Sequence, residues 1–196
     1  MNMKKILIIL LLFNLSYGHV FSIEPDVFVQ STVNRASQIL SKNISKEAKI
    51  NELKFIAKET VDIRGVGFYS LGSARKNLND NQKKKYFDLF ENYFLKSFSS
   101  RLSEYTNPKI EVQGKKIINK NYTIVNSLLI GTSERPEVKI NWRVYTINPK
   151  QPLIRDLIIE GLSLARTQKE EFASVIESNN GDVTKLFETL KEFIVK

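Results

Sequence analysis

The spacing of apolar residues changes twice along this chain, and these changes limit the fold more than any other feature of the sequence. Up to about Ser103, apolar side chains recur roughly every 3.6 residues, the period of a helix that buries one face. From Lys109 to about Ile159 they alternate with polar residues, and after Gly161 the helical period returns. Helices on both sides of a group of sequential strands are typical of α+β domains. The sequence therefore predicts one antiparallel sheet packed against a cradle of helices, and the sheet would be curved if it is to enclose a molecule.

Local signals predict where the helices begin and end. Pro25 suits a first helical turn, and Asn79 followed by Gln82 resembles a capping box. Gly181 is typical of the residue after a helix, and Asp182 is a good N-cap. These signals predict helices from Pro25, from about Ser45, over residues 61–72, from Asn79 to about Ser103, from Ser163 to Ser178, and from Asp182 onward.

The clearest strand covers residues 138–144, where apolar and polar side chains alternate strictly. A second strand is expected within residues 122–131. In a later strand Leu157 and Ile159 share one face, so Asp156 is expected to point the opposite way, toward solvent.

A Glu-Gly turn, Glu160 and Gly161, joins this last strand to the helix that follows. Glycine would let the chain turn sharply there, so that Ile159, Leu164 and Phe172 line one cavity. Glu160 is then expected to be a turn or surface carboxylate rather than a catalytic acid.

The N-terminal residues 1–22 have the features of a secretory signal peptide. Lys4 and Lys5 precede an apolar run from Ile6 to Phe13, and small residues follow. The run is shorter than the roughly 20 residues of a membrane span, although an uncleaved anchor is the alternative. We therefore expect a cleaved signal, secretion and a single domain over residues 23–196.

Residue counts restrict the chemistry. The chain has no cysteine, and its one histidine, His19, lies at the edge of the signal. Catalytic triads and histidine or thiolate metal sites are therefore not expected, and neither is a cofactor. The net charge of +9 becomes +7 once Lys4 and Lys5 are removed. In a secreted protein this charge favours contact with anionic membrane surfaces over nucleic acid, or serves solubility alone.

The long helix after Asn79 carries an aromatic stripe, and such a stripe is usually part of an ordinary core. The high number of large aromatic side chains, 12 Phe and 7 Tyr, also suits the wall of an apolar pocket. Lys83, Lys84 and Lys85 stand at the start of this helix, where the helix dipole disfavours cations. They are candidates for partner docking, with a solvated helix face as the alternative.

Three stretches resemble the MlaC family of periplasmic phospholipid-binding proteins, also known as toluene-tolerance auxiliary components. They are VDIRGVGFYSLG (61–72), NDNQKKKYFDLFENYFLKSFSSRLSEY (79–105) and RDLIIEGLSLARTQKEEFASVIESNNGDVTKLFETL (155–190). The last is the most specific, because it combines Asp156 and the Glu-Gly-x-Ser-Leu of residues 160–164 with a later Gly-Asp pair. The order and spacing of these stretches carry the resemblance.

This resemblance implies a periplasmic carrier without catalysis, with residues 23–196 as a single lipid-binding domain that encloses an apolar pocket. It implies that both acyl chains of a diacyl phospholipid lie inside the domain and that the head group stays outside. It also implies partners: an outer-membrane lipoprotein–porin complex, and an inner-membrane MCE-domain protein with its ABC transporter. The function implied is transfer of glycerophospholipids between the two membranes, which maintains outer-membrane lipid asymmetry.

The apolar faces of the predicted elements supply the expected pocket wall. Its candidate residues are Leu71, Phe87, Phe90, Phe94, Phe98, Val138, Ile140, Trp142, Val144, Leu157, Ile159, Leu164 and Phe172.

An enzyme on a similar α+β cone is the alternative function. Isomerases of this shape use an Asp base with a Tyr donor in an apolar pocket, and Asp156 and Tyr145 are the candidates. An inward carboxylate would favour chemistry, whereas a wall of hydrocarbon alone would favour binding.

Overall fold

The computed structural model describes residues 22–196, so the predicted signal peptide lies outside the described residues except for Ser22. Six α-helices and one five-stranded antiparallel sheet form this part of the chain, which confirms the predicted α+β class. The helices are α1 (Pro25–Ser41), α2 (Lys46–Thr60), α3 (Ile63–Ser70), α4 (Asp80–Leu102), α5 (Leu164–Ser178) and α6 (Val183–Val195). The strands are β1 (Ile110–Asn119), β2 (Tyr122–Leu129), β3 (Val138–Tyr145), β4 (Leu153–Ile159) and β5 (Leu162–Ser163).

The predicted helix starts are found at or within a residue or two of their expected places. The capping box at Asn79 and Gln82 is complete, with each side chain accepting a hydrogen bond from the other residue's backbone N–H. Asp182 accepts from the backbone of Thr184 and caps α6. Within residues 22–196, no helix combines the length and the apolarity that crossing a membrane requires.

The five strands pair in sequence order, β1-β2-β3-β4-β5. The helices cover the face that carries the buried residues Val125 of β2 and Trp142 of β3, while α3 lies along the β4 edge. At that edge Val61 forms an isolated parallel bridge with Ile154. The main core lies between the sheet and α1, α3, α4, α5 and α6, and a smaller cluster joins α1 to α2.

Strand β4 contains a bulge, and the prediction that Asp156 faces solvent is wrong. Trp142 pairs with Leu157, but Val144 pairs with Ile154, so β4 has one more residue than β3 between these pairs. The extra residue is Arg155, so Asp156 still pairs with Arg143 and lies opposite Leu157, as the alternation predicts. Asp156, predicted to face solvent, is instead only 6% exposed, because Ser163 and the N-terminus of α5 cover it.

The join between β4 and α5 is a tight hairpin rather than a direct strand-to-helix turn. Glu160 and Gly161 both have positive φ angles, 48° and 86°, and the chain returns as β5 before α5 begins. Glycine adopts such angles without strain. Glu160 is exposed, and its carboxylate accepts a hydrogen bond from the backbone N–H of Lys139. Its predicted role as a turn and surface carboxylate is confirmed.

Candidate functional site

An apolar cavity of about 190 Å³ lies between α4, α5 and the strands β3 and β4. One face of α4 lines it with Phe90, Tyr93, Phe94, Ser97, Phe98 and Arg101; one face of α5 lines it with Leu164, Ala165, Thr167, Gln168 and Glu171. Both sets follow the spacing of a single helix face. Val61, Val66, Trp142, Ile154, Arg155, Asp156 and Leu157 complete the wall.

The cavity is closed at one end by contacts between α4 and α5. The hydroxyl of Tyr93 donates a hydrogen bond of 2.9 Å to Oε1 of Gln168. The ring of Phe172 meets Phe90 edge to face, with ring centroids 6.2 Å apart. Burial raises the pKa of the Tyr93 hydroxyl, which therefore remains a donor across the physiological pH range.

The other end of the cavity reaches solvent. Leu164 is 38% exposed there, and Arg101 on the facing helix is also exposed. Phe90 at the closed end is only 1% exposed. An apolar molecule can therefore enter between the last turns of α4 and the first turns of α5.

Trp142 is held in the cavity wall by a hydrogen bond. Its indole Nε1 donates to Oγ of Ser127 over 2.8 Å, and that hydroxyl donates to the carbonyl of Ile140. Both polar groups are buried, so their pairing removes the cost of desolvating them. The indole ring is thus fixed with an apolar face available to the cavity.

Asp156 is fully engaged in positioning α5. Its Oδ1 accepts from the backbone N–H of Ala165 over 3.0 Å, and its Oδ2 accepts from the hydroxyl of Ser163 over 2.7 Å. These contacts place a carboxylate at the helix N-terminus, where the helix dipole favours negative charge. Although Asp156 lines the cavity, both of its oxygens serve the fold.

Tyr145 does not line the cavity that Asp156 helps to form. The guanidinium of Arg155 lies over its ring, 3.5 Å from the ring centroid, and the ring of Tyr122 lies tilted against it. The Asp-Tyr pair that an isomerase would require is therefore not assembled in the cavity.

Six of the predicted pocket residues line the cavity: Phe90, Phe94, Phe98, Trp142, Leu157 and Leu164. The other seven lie elsewhere, and their contact with a lipid stays a prediction. Val144 and Leu71 are buried in the core, Phe87 stacks on Phe68, and Phe172 packs behind Phe90. Val138, Ile140 and Ile159 belong to the sheet without reaching the cavity.

Sequence reasoning missed the contributions of α3 and of the polar residues on α4 and α5. Val61 and Val66 reach the cavity because α3 lies along the β4 edge, which no periodicity indicates. Tyr93 could have been found, since it lies on the same aromatic helix as Phe90 and Phe94.

The three predicted docking lysines lie at the N-terminal end of α4, far from the open end of the cavity. Lys83 forms an ion pair with Asp80 over 3.3 Å, and the ammonium of Lys85 lies 5.7 Å from the ring centroid of Phe187. Lys84 is exposed. At a rise of about 1.5 Å per residue, some 27 Å of helix separates Lys83 from Arg101.

Taken together, the fold and the cavity define an α+β domain that can enclose an apolar ligand. A model of the MlaC protein family matches residues 30–192, so the chain belongs to the MlaC family. The resemblance seen in the sequence is thereby confirmed.

The fold is similar to that of a phospholipid-binding protein from Ralstonia solanacearum, whose structure was solved in complex with a phospholipid. The two structures agree with a TM-score of 0.73 at 18% sequence identity, over 88% of this chain and 98% of that one. At this identity the likeness establishes the fold. No curated protein matches the chain significantly.

Proposed function

We propose that this protein is a periplasmic carrier that holds the acyl chains of one glycerophospholipid in the apolar cavity. The observation that carries the proposal is the cavity itself, with Phe94, Phe98 and Trp142 in its wall and an opening at Leu164. Membership of the MlaC family and the phospholipid bound to the structural neighbour support the same ligand class.

The free energy that matters for such a carrier is that of moving a lipid between a bilayer and the cavity. Two acyl chains have on the order of 30 methylenes, and each contributes about 0.8 kcal/mol when removed from water, or about 24 kcal/mol in total. A bilayer supplies nearly the same stabilisation, so transfer between bilayer and cavity is close to neutral. The direction of transfer must then come from a partner, such as an ATP-hydrolysing transporter.

The cavity has to widen to hold two chains. Its volume of about 190 Å³ is smaller than the roughly 300–1,000 Å³ of pockets for drug-sized ligands. The contacts that join α4 to α5 at the cavity are made by Tyr93 and Phe90 with Gln168 and Phe172. If α4 and α5 separated only on the open side of these contacts, the cavity would widen while the core stayed intact.

Membership of the MlaC family also supports a wider role for this carrier. The carrier receives glycerophospholipid from an outer-membrane lipoprotein–porin complex and passes it to an inner-membrane MCE-domain protein with its ABC transporter, or transfers it in the reverse direction. This exchange maintains outer-membrane lipid asymmetry.

Organic extraction of the purified protein and mass spectrometry test the ligand class. We expect about one diacyl phospholipid per protein molecule, with little head-group selectivity. Folded protein without any phospholipid would refute the proposal.

Trp142 provides a test of the site, because it is the only tryptophan in the chain and lines the cavity. Phospholipids with brominated acyl chains should quench its fluorescence, whereas the same lipids brominated only on the head group should not. Equal quenching by both would place the lipid outside the cavity.

A further inference from the structure

A second cavity, of about 530 Å³, opens beside β4 on the side of the sheet that faces away from α4. Three arginines from three different elements line it: Arg75 after α3, Arg143 on β3 and Arg155 on β4. We call it the arginine cleft. It shares Val66, Arg155, Asp156 and Ala165 with the wall of the apolar cavity, and is otherwise separate from it.

Arg155 forms the rigid part of the arginine cleft. Its Nε donates to Oδ2 of Asp62 over 2.6 Å, and one terminal nitrogen donates to the hydroxyl of Tyr122 over 2.6 Å. Stacking on Tyr145 holds the guanidinium plane in place. The charge of Arg155 is therefore balanced by Asp62, and its geometry is fixed before any ligand arrives.

Arg75 and Arg143 have no such balance. Neither takes part in an ion pair among residues 22–196. Asp156, which also lines the cleft, is committed to Ser163 and Ala165. Like charges that share one cleft repel each other, and an anion placed between them relieves that repulsion.

The rim of the arginine cleft is apolar and exposed. Phe68 and Tyr69 of α3 are each 43% exposed, and Ile118 at the β1–β2 turn is 51% exposed. The guanidinium of Arg75 lies 4.8 Å from the ring centroid of Phe68, and the ammonium of Lys169 lies 5.5 Å from that of Tyr69. Aromatic side chains beside cations suit the head-group level of a bilayer, where both apolar and anionic groups are within reach.

We propose that the arginine cleft binds the phosphate group of a phospholipid head group at a bilayer surface. Guanidinium groups recognise phosphate oxygens through paired hydrogen bonds, and the cleft presents two that have no acidic partner among the described residues. The exposed rim then rests among the neighbouring lipids. This membrane contact goes beyond the proposed carrier function and does not depend on occupation of the apolar cavity.

Co-sedimentation with vesicles tests the proposal. The vesicles contain phosphatidylcholine with roughly one third phosphatidylglycerol. We expect the double variant Arg75→Gln/Arg143→Gln to bind them on the order of 30-fold more weakly, at about five-fold for each cation near an anionic surface. The matched control Arg135→Gln/Lys191→Gln removes the same charge at exposed positions that do not line the cleft, and we expect it to change binding less than about three-fold.

Two further measurements distinguish a specific binding site from nonspecific attraction by positive charge. Ile118→Ser leaves the charge unchanged and should still weaken vesicle binding by several-fold. Soluble sn-glycerol 3-phosphate should compete poorly, because it cannot engage the apolar rim. Thermal unfolding should show that all variants are folded, since the substituted side chains are exposed or only partly buried.

Equal losses in both double variants would overturn the proposal, as would unchanged binding in Arg75→Gln/Arg143→Gln. Tight binding of sn-glycerol 3-phosphate that depends on the cleft arginines would assign the site to a soluble phosphate instead. The protein could also bind vesicles through the cleft and yet contain no extractable phospholipid. That result would refute the carrier function and leave this inference standing.

Discussion

The buried carboxylate of Asp156 should make a large contribution to the free energy of unfolding, because it joins β4 to the start of α5. In Asp156→Ala the backbone N–H of Ala165 loses its acceptor in a buried position. An unsatisfied buried donor costs about 1–3 kcal/mol, and a hydrogen bond to a charged group contributes about 1.5–3 kcal/mol. Ser163 is half-buried and also accepts from the N–H of Arg166, so its own loss is small. We expect a decrease of about 3 kcal/mol in the free energy of unfolding.

Asp156→Asn separates the hydrogen bond from the charge. The carboxamide oxygen can still accept from Ala165, but its NH2 group cannot accept from the Ser163 hydroxyl. The variant therefore loses this small contact and the interaction with the helix dipole, which is about 0.3–1 kcal/mol. Urea unfolding followed by circular dichroism measures both variants. For a chain of this length, the alanine variant should also melt roughly 6–12 °C lower than the parent.

Asp182→Ala is the matched control, because Asp182 caps α6 by the same type of contact from an exposed position. It should cost clearly less than Asp156→Ala. If Asp156→Ala stayed within about 0.5 kcal/mol of the parent, the assignment of Asp156 as an anchor of α5 would be wrong. Equal costs for Asn and Ala would show that charge, rather than the hydrogen bond, carries the effect.

Three further predictions concern the cavity and its surroundings. Leu164→Trp, at the open end, should lower bound phospholipid several-fold with little change in melting temperature. Val144→Trp, at a core position with 0% exposure, should instead destabilise the fold by about 1–3 kcal/mol. Lipid content and thermal unfolding, measured on the same samples, distinguish the two outcomes. Phe90→Ala should cost about 3–5 kcal/mol in urea unfolding and Phe98→Ala less, since Phe98 is half-buried; equal costs would contradict its place in a cavity wall. Neutralising Lys83–Lys85 with Gln should slow association with an acidic partner surface and weaken its salt dependence in stopped-flow measurements; unchanged rates would leave these lysines as a solvated face.

The helices and strands could be predicted from the sequence because their signals are local. Period, capping residues and turn glycines act within a few positions of chain, as at Asn79 and Gln82 or at Gly181. The aromatic face of α4 was recognisable for the same reason, and Phe90, Phe94 and Phe98 do line the cavity.

The burial of Asp156 could not be predicted in this way. It depends on Ser163 and the first turn of α5, which return over Asp156 after the β4–β5 hairpin. Alternation in β4 correctly places Asp156 opposite Leu157, but it cannot show that another element covers that side.

The sequence by itself determined the class of fold, the bounds of its main elements and the residue types available for function, since each follows from contacts between near neighbours in the chain. Only the tertiary structure decided which apolar faces enclose a cavity and which are ordinary core. It also decided that Arg75, which is distant in sequence, meets Arg143 and Arg155 in one cleft. Both outcomes depend on how separate elements pack against one another, and side-chain packing between distant segments leaves no periodic mark in the sequence.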